Sequence, residues 1–311
     1  QANALTKLQT NQMHTGAWPW FKGGRENRYI TQHIITGLGH LKHLNASTKN
    51  VSVTKMIEKA IAYLDKEFVS EYEQMKKHAT NINDDHLSYT QMYYLYMRSF
   101  FPEIKSSKKT QEVAAYYKDQ AQKYWVKRSL YAQGLLALSL HRMEDPKTAT
   151  KIIKSLKENS ITSDELGMYW KENTASWYWH QAPIETQALL IEAFTEIENN
   201  TETIDNLKIW LLKNKQTNQW KTTKATTEAV YALLLQGSDW ISVTDAIDVL
   251  VGGKKIDPSI LENVKIEAGT GYYKTAWNTN EISPKMAEVQ LSKKGNGIAW
   301  GSLYWQYFED L

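Results

Sequence analysis

Five times along this chain a loop leads into an apolar-periodic segment, and a more polar amphipathic segment follows. The clearest copy is GAWPWFKGGRENRYITQHIITGLGHLKHL, from Gly16 to Leu44. Its loop holds two tryptophans, three glycines and two arginines, and its helix carries Ile30, Ile34, Leu38 and Leu41 on one stripe. Gly167-Met168-Tyr169-Trp170 precedes the apolar run from Pro183 to Leu190 in the same way, and Gln219-Trp220-Lys221 precedes Thr226 to Leu233. Leu87 to Gln91 and Ser129 to Gln133 open the helices between them. Inner helices that bury every face, alternating with outer helices that bury one stripe, make two concentric layers. The expectation is a mainly α fold: an α/α toroid of helical hairpins, favoured over an open solenoid with the same helix-pair repeat. Candidate helices span 29–44, 52–77, 87–101, 109–125, 129–142, 147–158, 184–198, 202–214 and 223–236. Asp145-Pro146 is a helix-start signal, and Thr201-Glu202-Thr203 supplies another cap.

After Gly237 the pattern changes. Ile247 to Val251 followed by Gly252-Gly253 reads as a strand and turn, Val264 to Ala268 and Ala287 to Leu291 alternate with period two, and Ile298 to Phe308 is an aromatic strand beyond a turn at Gly295 to Gly297. The sequence therefore divides into a helical domain, 1–237, and a smaller β-rich module, 238–311. With its last strand running to the terminus, that module is expected to be partial, its edge covered by strands from outside these residues.

Composition excludes several classes. The net charge is +3 and the 37 basic residues are spread along the chain, so nucleic acid is not an expected partner. No segment reaches the 18 apolar residues that span a bilayer, so a membrane would be met only through an anchor elsewhere. The absence of cysteine removes disulfides, thiolate metal sites and a cysteine nucleophile from this chain. A start at Gln1 and an abrupt stop at Leu311 suggest a piece of something longer. The 12 tryptophans and 18 tyrosines fit either a glycan-facing surface or aromatic wedges between helical repeats.

Few residues carry a sharp chemical signal. Gln12, Gly16 and Trp18 have the Gln-xxx-Gly-x-Trp spacing of triterpene cyclases, a motif that ties helix ends together and implies no reaction; the acid motif of those enzymes is absent. Asp84-Asp85 reads as a solvated turn. His33, His40 and His43 share a helix without metal-ligand spacing and read as surface or capping residues, so no metal and no cofactor is expected. Trp170, Trp177, Tyr178, Trp179, His180 and Glu185 form the densest polar-aromatic cluster. Glu185 could act as an acid on a polysaccharide, given a second carboxylate from Asp84, Asp85 or Glu172; packing of the inner helices is the alternative role. Trp18 and Trp20 can floor a binding face or wedge between repeats, and Arg25 and Arg28 can bind an anion at the helix start or cap helical carbonyls.

Three runs resemble one family. GAWPWFKGGRENRYITQHIITGLGHL is similar to the thioester-domain helices of bacterial α2-macroglobulin-like proteins, IWLLKNKQTNQWKTTKATTEAVYALL to the last helical pair of that domain, and GIAWGSLYWQYFEDL to the strand segment that follows. The resemblance implies a thioester-domain-like toroid followed by part of a CUB-like β domain. It further implies an extracytoplasmic, periplasmic or membrane-anchored protein that traps target proteases by closing around them, with other macroglobulin domains of the same chain as neighbours. In the family a cysteine and a glutamine of a Cys-x-Glu-Gln motif form the thioester; this chain has no cysteine, so no catalytic residue is carried over. A histidine assists the thioester in some members. His86 lies in a comparable region, but its flanks do not match and it receives no role. The reading is of a non-catalytic fragment of a protease trap; an (α/α) toroid acting on polysaccharide and a protein-interaction scaffold are the alternatives.

Overall fold

In a computed structural model of the chain, residues 2–46, 51–174, 182–217, 220, 222–235, 247–261, 264, 273–293 and 303–306 are described. Two units separate at Leu235/Gln236.

The first unit is built from helices α1 (Ala2–Asn11), α2 (Arg28–His43), α3 (Val51–His78), α4 (Tyr89–Ser99), α5 (Lys108–Tyr124), α6 (Leu130–Arg142), α7 (Pro146–Glu158), α8 (Pro183–Ile197), α9 (Thr201–Thr217) and α10 (Thr223–Leu234). Side-chain caps fix several starts: Asn27 Oδ1 accepts from Ile30 N at 2.9 Å, and Asp145 Oδ1 from Thr148 N at 3.1 Å with Pro146 at the first helical position. Thr201 is not the cap of its helix. Asn200 is, one residue earlier, its side chain accepting from Thr203 N at 2.9 Å. Helix α1 was not foreseen from the sequence.

Burial alternates with helix number. In α8 every residue from Ile184 to Phe194 is buried, and α6 buries nine of its thirteen. In α7 only Ala149, Ile152, Ile153 and Leu156 are buried, one stripe at spacings of three, one and three. The even-numbered helices touch in series, α2 on α4, α4 on α6, α6 on α8 and α8 on α10. The odd-numbered ones lie against them, α3 on α2 and α4, α7 on α6 and α8, α9 on α8. The last even-numbered helix also reaches the first: His40 of α2 stacks on Tyr231 of α10 with ring centroids 3.7 Å apart, and His43 Nδ1 lies 2.9 Å from the Tyr231 hydroxyl.

Two short antiparallel hairpins, read as loops from the sequence, sit between helices. Strand β1 (Trp18–Pro19) pairs with β2 (Glu26–Asn27), and β3 (Ile161–Ser163) with β4 (Gly167–Tyr169). Each ties one outer helix to the next. Trp18 Nε1 donates to Leu8 O of α1 at 2.9 Å, and Trp170 Nε1 donates to Leu156 O of α7 at 2.8 Å. Gln12 Nε2 bridges Gly16 O and Met56 O of α3, both at 2.9 Å; Gln187 Nε2 bridges Met168 O at 2.9 Å and Leu207 O of α9 at 3.1 Å. At Gly16 (φ +95°) a Cβ would stand 2.3 Å from Lys59 O, and at Gly167 (φ +72°) 2.2 Å from Asn206 O. Both backbones therefore require glycine for conformation and for space.

The second unit contains a three-stranded antiparallel sheet in the order β6 (Lys254–Ile256), β5 (Asp248–Val251), β7 (Val289–Ser292). The hairpin β5–β6 turns on Gly252-Gly253, where the sequence places it. The strand expected at Ala287 to Leu291 begins later, at Val289, because Pro284–Ala287 forms a 3₁₀ turn. Of the strand expected at 264–268 only Val264 is described, and it is not in a strand; of the one expected at 298–308, residues 303–306 are described and are not in a strand.

Candidate functional site

Two facts position the polar side chains of the first unit: the even-numbered helices touch in series, and α4, α6 and α8 are buried over most of their length. Any polar residue on those helices must then be satisfied inside the protein. Near the C-terminal ends of α2, α4, α6 and α8 this produces one continuous network, with Tyr231 of α10 joining it.

Glu192, 1% exposed, is its hub. Its Oε2 accepts from the Tyr96 hydroxyl at 2.5 Å; its Oε1 accepts from the Tyr231 hydroxyl at 3.0 Å and from Arg142 at 2.6 Å. Arg142 also forks onto Glu196, with Nε 3.0 Å from Oε2, and lies over the Phe100 ring at 4.2 Å. His40 Nε2 meets the Tyr96 hydroxyl at 2.9 Å. Each tyrosine has one proton and gives it to the carboxylate, so His40 donates through Nε2 and His43 through Nδ1. Burial, and then Arg142, holds the His40 pKa well below the ordinary histidine value, keeping it neutral. Burial works against the charge of Arg142, but Glu192 and Glu196 outweigh it and hold its pKa up.

His43, Glu192 and Glu196 offer a nitrogen and two carboxylate oxygens within 4.8 Å of one another. Arg142 already bonds both carboxylates and Tyr231 already meets His43 Nδ1. A divalent cation would have to displace a guanidinium from two carboxylates, so the trio is an ion-pair network and not a metal centre.

A second cluster lies toward the other ends of these helices. Glu185, in the first turn of α8, is 3% exposed and its Oε2 has no hydrogen-bond partner among the described residues. Lys224 and Glu228 of α10 and Tyr29 of α2 are its electrostatic neighbours. Burial raises the pKa of Glu228 to about 7; Lys224 opposes this, while Glu192 and Glu185 add to it. Rings step inward from Trp20 to Tyr29 (6.4 Å), Tyr93 (6.2 Å) and Tyr89 (5.7 Å).

The residues singled out from the sequence fall in different places. Trp18 and Trp170 are buried and bonded to outer-helix carbonyls, as described above, so they are wedges and do not floor a site. Trp20 and its neighbour Phe21 are 63% and 69% exposed. Arg25 is exposed. Arg28 pairs with Glu71 of α3 and donates through Nε to Gln32 Oε1 at 2.9 Å. His86 caps a loop: its Nε2 donates to Asn81 O at 2.9 Å and its backbone N–H to Gln120 Oε1 at 2.9 Å. Trp177 and Trp179, with Tyr178 and His180, lie outside the described residues.

Asp85 pairs with Arg128, Asp84 Oδ1 accepts from Asn81 at 3.1 Å in the same turn, and Glu172 is exposed. Glu228, which the sequence reading passed over, is the acid the fold brings to Glu185. His40 is likewise a core residue, not a surface or capping one. An open depression of about 390 Å³ at the start of α10 is lined, among the described residues, by Trp220, Thr222, Thr223, Thr226 and Thr227, none of them ionisable. No described helix is long and apolar enough to cross a membrane.

No family model matches the chain, and no curated protein does. Among solved structures it is similar to native α2-macroglobulin from Escherichia coli, in a crystal structure spanning domain MG7 to the C-terminus, with a TM-score of 0.50 at 13% identity. The match covers 95% of this chain and 40% of that one. At this identity the likeness is one of fold: an α2-macroglobulin-like arrangement, mainly helical with a small antiparallel sheet.

Proposed function

We propose that this chain is the thioester-domain-like helical unit of a bacterial α2-macroglobulin-like protease trap, followed by part of a CUB-like β domain. The helical unit is an α/α toroid whose inner ring is α2, α4, α6, α8 and α10, closed where α10 returns to α2. It is non-catalytic and carries no thioester of its own, having no cysteine. Its partners are other macroglobulin domains of the same protein and, through the whole protein, target proteases; the setting is extracytoplasmic.

The observation that carries this reading is the 95% coverage of the chain by the α2-macroglobulin likeness, which takes in the helical unit and the sheet unit in one match. The hydrogen-bonded state of the inner network supports the non-catalytic part. Glu192, Arg142, Tyr96 and Tyr231 are each engaged with protein groups, and burial keeps both tyrosines protonated. The test is to incubate the whole protein with a broad-specificity protease and follow its activity on a protein substrate and on a small peptide. A trap removes the first and spares the second. Loss of neither contradicts the proposal. Turnover of a glycan by this chain, abolished by Glu185→Gln, would instead establish the polysaccharide-processing alternative.

A further inference from the structure

Helix α10 is held against α2 by Tyr231 and, one turn earlier, brings Glu228 to within 3.9 Å of His40. The first contact is complete in itself: the Tyr231 ring lies flat on His40 and its hydroxyl bridges His43 and Glu192. The second contact needs a proton. His40 donates through Nε2 to Tyr96, so its Nδ1 presents a lone pair, and that atom faces Glu228 Oε2 at 3.9 Å. A lone pair facing an ionised carboxylate has nothing between them to share; a lone pair facing a protonated carboxyl has a donor.

We propose that Glu228 is a proton-controlled latch on the α2–α10 seam: protonated, it closes the 3.9 Å gap to His40 Nδ1, donates its hydroxyl there and seats α10; deprotonated, it places a charge against that lone pair and the seam loosens. The proton passes to solvent water and no bond other than O–H is broken. Every neighbouring element contributes charge or titratable groups to this point. From α10 comes Lys224; from α8, Glu185 and Glu192; from α2, Tyr29, His33, His40 and His43; from α4, Tyr89, Tyr93 and Tyr96; from α6, Tyr131 and Arg142. Among the described residues only Lys224 and Arg142 are positive there, and Arg142 is taken by Glu192 and Glu196. Burial pushes the pKa of His33 down to about 4 and that of His40 well below its ordinary value, so neither histidine supplies a compensating charge near neutrality. Ionised Glu228 therefore faces two other glutamates with one lysine to balance them.

The sign follows from linkage. Glu228 titrates at about 7 when folded and near the ordinary value of 4.5 when exposed, so its contribution is complete below that ordinary value and is lost as pH rises to about 7. The buried neutral histidines act in the opposite sense below about pH 6.5, so the comparison is with Glu228→Gln, which keeps them. Two measurements on the full chain test the latch. In ¹³C spectra of glutamate carboxyls, the signal missing from Glu228→Gln should titrate about two pH units above the others. Amide exchange in α10, corrected for its intrinsic pH dependence, should give an opening constant whose ratio to that of Glu228→Gln rises by about tenfold per pH unit up to about pH 7 and is level beyond it. A Glu228 carboxyl titrating with the ordinary glutamates overturns the proposal, as does α10 opening with the same pH profile in both proteins. Should Glu228→Gln not fold, the single carboxyl missing from Glu228→Asp assigns the titration instead.

Discussion

Replacing Gly167 with alanine separates two costs that usually come together. The residue has φ +72°, and an alanine there costs about 1–2 kcal/mol from the left-handed conformation alone. The new Cβ would also sit 2.2 Å from Asn206 O and 3.0 and 3.1 Å from Ile209 Cβ and Cγ2. The hairpin must then move off α9 by about 1 Å to restore ordinary contact distances. That motion pulls Met168 O and Leu207 O apart, and Gln187 Nε2 cannot follow both, so one bond of about 1 kcal/mol is lost. Loosened packing around buried Trp170 adds a cost of similar size. Gly23 provides the control: φ +83° with no atom within 4 Å of a Cβ. Gly167→Ala should be less stable than Gly23→Ala by roughly 2 kcal/mol, or about 4–8 °C in Tm for a unit of this size. Thermal and urea unfolding followed by circular dichroism measure the difference. Equal destabilisation of the two variants would refute the claim that the hairpin is clamped between outer helices.

Gly16→Ala should resemble Gly167→Ala, because its Cβ would meet Lys59 O at 2.3 Å, and the same unfolding curves check it. Arg142→Met removes the guanidinium paired with Glu192, leaving a carboxylate that is 1% exposed; a loss of about 3–5 kcal/mol is expected, and a loss below about 1 kcal/mol in urea titrations would contradict the hub assignment. Tyr231→Phe and His43→Ala should be coupled by about 0.5–3 kcal/mol in a double-mutant cycle, since one hydroxyl joins them across 188 residues of sequence; additive effects would show that the seam does not close there. Trp20→Ser with Phe21→Ser should change stability by less than about 0.5 kcal/mol by the same assay, because both rings are exposed.

Much of the helical architecture could be read from periodicity. Buried helices such as α6 and α8 announce themselves as long apolar runs, and α7 as a single stripe behind Asp145-Pro146. The hairpins were invisible for a physical reason: strands of two and three residues are too short to show alternation, and their pairing is held by Trp and Gln bonds to distant helices. Gln12 and Gln187 make equivalent bridges from opposite sides of their hairpins, so no single spacing describes both. The polar network was hidden differently. Glu192 stands in an apolar run while Arg142 and Glu228 sit among polar residues, and their partners come from helices far away in sequence. A lone carboxylate inside an otherwise buried helix was the available signal, and it was passed over for the denser cluster at Trp170 to Glu185. His40 was misjudged for the same reason, since the tyrosines that meet it lie on α4 and α10, whereas His43 is exposed, as a surface residue should be.

Whether this helical unit serves a protease trap is decided by one comparison of activities. The whole protein is mixed with a broad-specificity protease, and cleavage of a large protein substrate is measured beside cleavage of a small chromogenic peptide. A trap protects the protein substrate while peptide cleavage continues, and opening the α2–α10 seam by Arg142→Met weakens that protection. Parallel loss of both activities would indicate an inhibitor of the protease active site, and unchanged activity on both would indicate no inhibitor at all; either contradicts the proposed function.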